Sequence, residues 1–357
     1  MFLKELQLFN FKNHESARFV FSDKINAITG NNGAGKTNVL DAIYMLANAK
    51  IYYNSIDQQI IQFNKDFFTV SGKFEETNPF DLIINFGKDT KKTIKKNGKV
   101  FKRIIDHIGS IQTVFITPND ISLIYEGSEE RRKFLDFTIS QLDNVYLKNL
   151  VEYRKVIDQR NSFLKNNQNH FIDEVLLESY NFKLIPISRA IYQTRKHFLE
   201  EFIPFFNQAY QEISGSSENC NIKYKSKLEE TDIEILLQQN LRNDIAAQRT
   251  TDGIHKDDLE FLINEIPIRK FGSQGQIKTF VISLKIAQYE YLKSNTGNNP
   301  LLLLDDIFEK IDESRSNELM KMVCSDRFGQ IFVSDTNAER VRNHFLPHGI
   351  DCKFIEI

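Results

Sequence analysis

Gly30-Asn31-Asn32-Gly33-Ala34-Gly35-Lys36-Thr37 is a full match to the phosphate-binding loop pattern, a glycine and four free positions followed by Gly-Lys-Thr. Glycine lets backbone amides approach phosphate oxygens with no Cβ in the way, and a helix opening after the loop adds partial positive charge. Lys36 is then placed to reach the β- and γ-phosphates of ATP, and the Thr37 hydroxyl to bind Mg²⁺. An accidental glycine-rich turn is the alternative; four fixed positions arise by chance about once in a hundred chains of this length.

A second constellation is Leu301-Leu302-Leu303-Leu304-Asp305-Asp306, apolar residues ending in two acids, as expected of a buried parallel strand whose C-terminal end meets a ligand. Asp305 suits Mg²⁺, and Asp306 stands where a carboxylate can polarise an attacking water. Alone, the two acids would read as a core strand ending in a solvated turn. A third is Gly272-Ser273-Gln274-Gly275-Gln276, followed by Phe280, Leu284 and Ile286-Ala287 at helical spacing. A helix N-terminus with Ser273 and Gln274 offers donors to phosphate oxygens, and an ordinary N-cap is the competing reading.

The elements needed to hold these residues are visible in the pattern. Asn26-Ala27-Ile28-Thr29 predicts a strand running into the loop, and Val39, Leu40, Ile43, Leu46 and Ala47 predict an amphipathic helix from about 37 to 48. Short strands are expected at Phe68–Phe74, Leu82–Phe86 and Thr93–Val100, the last folded back at Asn97-Gly98, giving an antiparallel meander. From about 119 to 213 the pattern turns helical: Tyr146, Leu150, Tyr153, Ile157 and Leu164 mark one long helix that Arg160 interrupts. Pro186 and Pro204 should kink or end the later helices. Strands return at Leu259–Ile263 and Pro300–Leu304, so the helical lobe reads as an insertion in an α/β domain.

The chain has 357 residues, 41% hydrophobic and 26% charged, enough for a substantial core in two domains. No run of apolar residues is long enough for a membrane span and the N-terminus has no secretory core, so a cytoplasmic protein with no membrane association is expected. Cys220, Cys324 and Cys352 have no paired spacing, which speaks against a disulfide framework or cysteine-rich zinc site. A formal net charge of -2 confines any polyanion site to a local patch. Two patches offer themselves: Lys88, Lys91, Lys92, Lys95, Lys96, Lys99, Lys102 and Arg103 around the hairpin, and Arg131-Arg132-Lys133 in the helical lobe. A solvated hairpin competes for the first, helix capping and ion pairs for the second.

Together these motifs resemble the ABC-type ATPase heads of the SMC class, and within it the RecF family. The similar stretches run through nearly the whole chain: Leu8-Phe9-Asn10-Phe11-Lys12-Asn13, the loop ending in Thr37-Asn38, Thr117-Pro118-Asn119-Asp120, and Gly127-Ser128 before Arg131-Arg132-Lys133-Phe134-Leu135-Asp136. Gln159-Arg160-Asn161, Gly253-Ile254-His255-Lys256-Asp257-Asp258-Leu259, Ser273-Gln274-Gly275-Gln276 and Leu304-Asp305-Asp306 complete the set. Generic P-loop enzymes share only the first and last of the catalytic motifs. The chain departs from the family at Lys12, at Ile254 and at Lys50-Ile51-Tyr52-Tyr53, and Glu309-Lys310-Ile311-Asp312 is a looser form of the family's D-loop.

The resemblance implies an α/β P-loop ABC-type ATPase head with a mixed sheet and an antiparallel β meander, interrupted by a mainly helical arm. The head would comprise 1–118 and 240–357, and the arm 119–239. It implies Asn38, Gln276 and Asp312 as further nucleotide contacts, and Ser273 acting in trans on the ATP site of a second head. It further implies an ATP-dependent homodimer on double-stranded DNA near single-strand gaps, slow DNA-stimulated hydrolysis that releases it, and help to RecA loading together with RecR in DNA repair, recombination and the SOS response. Two other classes share part of the pattern. A transporter's nucleotide-binding subunit usually carries a Leu-Ser-Gly-Gly-Gln signature and no helical lobe; a metabolic P-loop enzyme needs an acceptor pocket, and no cluster of acceptor ligands is seen.

Overall fold

The computed structural model describes residues 1–53, 56–166, 173–215, 218–307, 318, 320–345 and 352–357. They form two compact units, one of Met1–Ile121, Gln208–Ser217 and Ser273–Ile357, the other of Ser122–Asn207 and Glu218–Gly272. The sequence-based arm limit at 239 thus falls within the second unit, which continues to Gly272.

The first unit opens with strands β1 (Phe2–Phe11), β2 (His14–Val20) and β3 (Ile25–Thr29), then helix α1 (Lys36–Asn48). The expected meander follows as β4 (Phe67–Glu75), β5 (Phe80–Gly87), β6 (Thr90–Lys96) and β7 (Lys99–Val100), and then β8 (Thr113–Ile116). Strands β2-β1-β4-β5-β6-β7 make an antiparallel sheet in that order. Its turn at Asn97-Gly98 has positive φ at both residues, 48° and 78°, the twist that closes a two-residue hairpin. Along β4, Phe68, Val70, Gly72 and Phe74 are buried while the residues between them face outward, the period of two that made the strand readable.

The second unit holds α2 (Ser122–Tyr125), α3 (Ser128–Ser140), α4 (Asn144–Asn166) and most of α5 (Glu174–Ser214). It continues through β9 (Cys220–Lys225), α6 (Ile233–Gln239), α7 (Leu241–Ala247), β10 (Asp258–Ile263), β11 (Ile266–Pro267) and α8 (Ile268–Phe271). Strands β11-β10-β9 form its antiparallel sheet. One expectation is narrowed here and one revised. Pro186 and Pro204 lie inside α5 and do not end it. Each interior proline costs about 3 kcal/mol, and burying Leu184, Ile191, Phe198, Phe202, Phe206 and Tyr210 at about 1.5–3 kcal/mol each offsets that. Arg160 does not interrupt the seam of α4 but is buried in it, donating to Asp244 Oδ2 at 2.8 Å and Thr250 Oγ1 at 2.7 Å.

The chain returns to the first unit with α9 (Gln274–Thr296), β12 (Leu301–Asp305), β13 (Ile331–Asp335), α10 (Ala338–Phe345) and β14 (Cys352–Glu356). A five-stranded, fully parallel sheet results, in the order β14-β3-β13-β12-β8. Helix α1 meets β12, β13 and β8 of this sheet and also β4 and β5 of the antiparallel one. That double packing is why nearly every residue of α1 is buried. It also sets a close approach: a Cβ on Gly72 of β4 would lie 2.5 Å from Leu46 Cδ1, so Gly72→Ala would force the Leu46 side chain to shift. Among the described residues no helix is long and apolar enough to cross a membrane.

Candidate nucleotide site

The glycine-rich loop joins the buried strand β3 to α1, the strand–loop–helix order expected. Gly35 caps the helix at φ 114°, and a Cβ there would meet the Asn13 amide at 2.6 Å. Asn13 is close because it braces the loop: its Nδ2 donates to the Ala34 carbonyl at 2.9 Å, and its Oδ1 accepts from Asn38 Nδ2 at 2.7 Å. His14 stands with Nε2 3.5 Å from the Gly35 carbonyl. Lys36 is buried at its root and its ammonium donates to the carbonyls of Gly30 and Asn31, 3.0 Å each, so the charge lies over the loop itself.

The parallel sheet brings the acids to this loop. Thr37 Oγ1 donates to Asp305 Oδ1 at 3.0 Å, with Oδ2 at 3.2 Å. Ser334, at the end of β13, donates to Asp305 Oδ1 at 2.6 Å and accepts from the Asp306 amide at 3.1 Å. Tyr53 places its hydroxyl 3.5 Å from Asp305 Oδ2. Asp306 follows the strand in a left-handed conformation, φ 46°. Ser334 was not singled out in the sequence, and Tyr53 was named only within the segment that departs from the family pattern.

Two buried pairs stiffen the surroundings. Lys12, left-handed at φ 50°, donates to Asp41 Oδ2 at 2.6 Å, and Asp41 Oδ1 accepts from the Tyr52 amide at 3.1 Å. Burial holds the Asp41 carboxyl above its usual range against the pull of Lys12. Lys285 of α9 donates to the Tyr52 hydroxyl at 2.9 Å and the Phe115 carbonyl at 3.0 Å and pairs with Asp120 at 2.8 Å, while Tyr52 also donates to Asp120. The segment that departs from the family pattern, Lys50-Ile51-Tyr52-Tyr53, is thus anchored at both tyrosines.

Ser273 is exposed and caps α9: its Oγ accepts from the Gln276 amide at 3.2 Å while Gln276 Oε1 accepts from the Ser273 amide at 2.8 Å, a reciprocal capping box. Asp312 lies outside the described residues.

The two basic patches fare differently. Arg131 is buried, with Nε 2.6 Å from Asp258 Oδ1; Arg132 donates to Ser128 Oγ and the Asp257 carbonyl, both 2.7 Å; Lys133 pairs with Glu130 at 2.7 Å. Arg131 and Arg132 are spent inside their own unit as capping and ion-pair partners, whereas Lys133 is exposed and makes only surface pairs along its own helix. Around the hairpin, Lys92 pairs with Asp57 at 2.6 Å, Lys88 with Asp66 at 3.0 Å and Arg103 with Asp106 at 2.7 Å, and Lys96 lies 3.8 Å over the Phe80 ring. Lys91, Lys99 and Lys102 are exposed and Lys95 half-buried.

The donor set at the loop fits Mg²⁺: a hydroxyl and a carboxylate, both hard oxygen ligands, are within hydrogen-bonding distance of one another at a helix N-terminus. Among the described residues no group of three or more His, Cys, Asp and Glu could hold a metal without help.

A family model described as RecF/RecN/SMC N terminal domain matches residues 2–350. The DNA replication and repair protein RecF of Flavobacterium johnsoniae is 50% identical over 342 residues, covering 95% of each chain. The protein of that name from Bacteroides fragilis is 40% identical over 360 residues, covering 100% of this chain and 96% of its own. A solved structure of the recombination mediator protein RecF-ATPrS in the RecFOR pathway superposes with a TM-score of 0.89 at 30% identity, covering 100% of this chain and 96% of that one. An Smc head bound to the C-winged helix domain of ScpA superposes at 0.53 with 14% identity, covering 98% and 92%, and so shares the fold.

Proposed function

The chain belongs to the RecF family of SMC-type ATPase heads, and from that premise we propose that it is an ATP-operated, DNA-binding recombination mediator of DNA replication and repair. The observation that carries the reading is the Thr37–Asp305 hydrogen bond, which unites the two phosphate-and-metal motifs at the carboxyl ends of one parallel sheet.

In this reading the amides of Gly30–Thr37 cradle the phosphates, and Lys36 exchanges its two carbonyl partners for the β- and γ-phosphate oxygens. Thr37 and Asp305 would hold Mg²⁺, which supplies positive charge to those oxygens. Asp306 orients the attacking water and accepts its proton. Asn38, Gln274, Gly275, Gln276 and Asp312 complete the nucleotide contacts.

Ser273 serves a second copy of the chain. It is exposed at a helix N-terminus, where free amides favour an anion, and a γ-phosphate bound in the facing head satisfies it. ATP thereby joins two heads, and hydrolysis removes the charge that joined them. The dimer closes on double-stranded DNA near junctions with single strands, and with RecR it assists RecA loading.

The test is ATP hydrolysis at a series of protein concentrations with and without duplex DNA. Turnover per head should rise with protein concentration and with DNA. Turnover independent of concentration points to a metabolic enzyme, and indifference to DNA points to a transporter-type subunit; either result overturns the proposal.

A further inference from the structure

Ser334 lies on β13 opposite Asp305 of β12 in the parallel register, and it is fully buried. Paired residues of neighbouring strands present their side chains on the same face, so the serine hydroxyl meets the acid directly. The directions of its two hydrogen bonds are unambiguous. An ionised carboxylate only accepts and a backbone amide only donates, so the single hydroxyl proton goes to Asp305 Oδ1 at 2.6 Å and a lone pair receives the Asp306 amide at 3.1 Å.

One buried hydroxyl therefore touches both acids. On Asp305 it acts from β13 while Thr37 acts from α1, both on Oδ1, and the carboxylate is held between them. On Asp306 it satisfies an amide that has left the strand ladder, where the chain turns into a left-handed conformation at φ 46°. Such a conformation costs a non-glycine residue about 1–2 kcal/mol and persists where surrounding bonds enforce it.

We propose that Ser334 is a positioning residue for ATP hydrolysis, fixing the Asp305 carboxylate towards Thr37 and the peptide that carries Asp306, so that metal-holding and water-orienting roles stay divided between the two acids. The proposal rests on the ATPase reading above. A buried partner of a metal-holding carboxylate typically governs 10–100-fold in metal affinity or activity.

Ser334→Ala and Ser334→Thr test it, with wild type and Asp306→Asn alongside. Fluorescent ATP-analogue binding is titrated in Mg²⁺ and in EDTA, and single-turnover hydrolysis is followed. For Ser334→Ala, affinity in EDTA should stay within about twofold of wild type, the gain in affinity on adding Mg²⁺ should shrink about tenfold, and hydrolysis should slow by about 10–100-fold. Ser334→Thr, which keeps the hydroxyl and suits a strand, should recover most of both. Wild-type Mg²⁺ response and hydrolysis in Ser334→Ala overturn the proposal. So does an equal loss in EDTA, in Mg²⁺ and in melting temperature shared by both variants, which marks a purely structural serine. Failure of wild type itself to bind and hydrolyse ATP overturns the ATPase reading instead.

Discussion

Thr37 and Asp305, 268 positions apart in sequence, share hydrogen bonds of 3.0 and 3.2 Å. The contact follows from strand register: Asp305 pairs with Ser334, and Ser334 with Ile28, so β12, β13 and β3 end level with one another. The loop leaving β3 and the acids leaving β12 are thereby delivered to one edge, with α1 packed against β12 and β13 to aim Thr37.

Asp306→Asn should retain ATP binding, because Asp305, Thr37 and Lys36 are untouched, and should slow hydrolysis by about 10²–10⁴-fold, the usual worth of a positioned proton acceptor. Single-turnover hydrolysis beside equilibrium ATP binding measures both. A dimer trapped by ATP in this variant agrees with the role given to Asp306; turnover at the wild-type rate removes it.

Lys36→Ala acts earlier. Two charged hydrogen bonds of about 1.5 kcal/mol each are lost towards the phosphates, so ATP affinity should fall about 100-fold or more. The helix itself should stand, since α1 is held by its apolar residues and not by this ammonium. Calorimetric ATP binding with a circular dichroism control checks it, and unchanged affinity would remove the phosphate-loop assignment.

What could be read beforehand was local in origin. The loop, the helix after it and the Asn97-Gly98 hairpin follow from glycine conformations and from periodicities within a few residues. Ser334 reaches the site only through sheet order, with nothing in its own neighbourhood to distinguish it; Asn13 and Tyr53 lie in stretches compared with the family, but their contacts with the loop and with Asp305 come from packing that the sequence does not show. Pro186 and Pro204 were expected to kink or end a helix; they lie inside α5 without ending it, because burial along the helix outweighs the local penalty. Arg131 and Arg132 stood out as a cationic run, yet their partners Asp258 and Asp257 come from a segment more than a hundred residues on.

His255 sets a pH dependence. Its Nε2 faces the Thr250 carbonyl at 3.1 Å and must donate, so Nδ1 accepts from the Tyr153 hydroxyl at 2.7 Å, and burial lowers the imidazole pKa to about 4. The unfolded histidine takes its proton near pH 6.5, so between that value and about 4 the unfolded chain binds more protons than the folded one. Stability is therefore full above pH 6.5 and declines on acidification, by about 3 kcal/mol if the whole shift is expressed. His107, lowered by burial as well, acts in the same direction; Asp41 and Asp257, raised by burial, oppose it at the acid end. Urea midpoints at pH 7 and pH 5 should differ clearly in wild type and less in His255→Gln. An equal drop in both proteins assigns the effect elsewhere.

The lysines of the hairpin supply the last prediction. In the proposed DNA-binding role, with Arg131 and Arg132 engaged in their own unit, the lysines of β6 and its turn are the candidate phosphate contacts. Alternation along β6 puts Lys91 and Lys95 on one face and Lys92 and Lys96 on the other, where Lys92 is paired to Asp57 and Lys96 covers Phe80. Phosphate contacts release counterions, so each contact removed should flatten the dependence of log affinity on log salt by about 0.9. Lys95→Ala combined with Lys99→Ala should weaken duplex binding for all sequences alike and lower the slope by nearly two such steps, whereas Lys96→Ala alone should leave the slope almost unchanged. Fluorescence anisotropy at several salt concentrations with ATP present reads both, and ATP affinity should be the same in every variant. An unaltered slope in the double variant means that these lysines only solvate the hairpin, and that duplex DNA is held by another surface of the molecule.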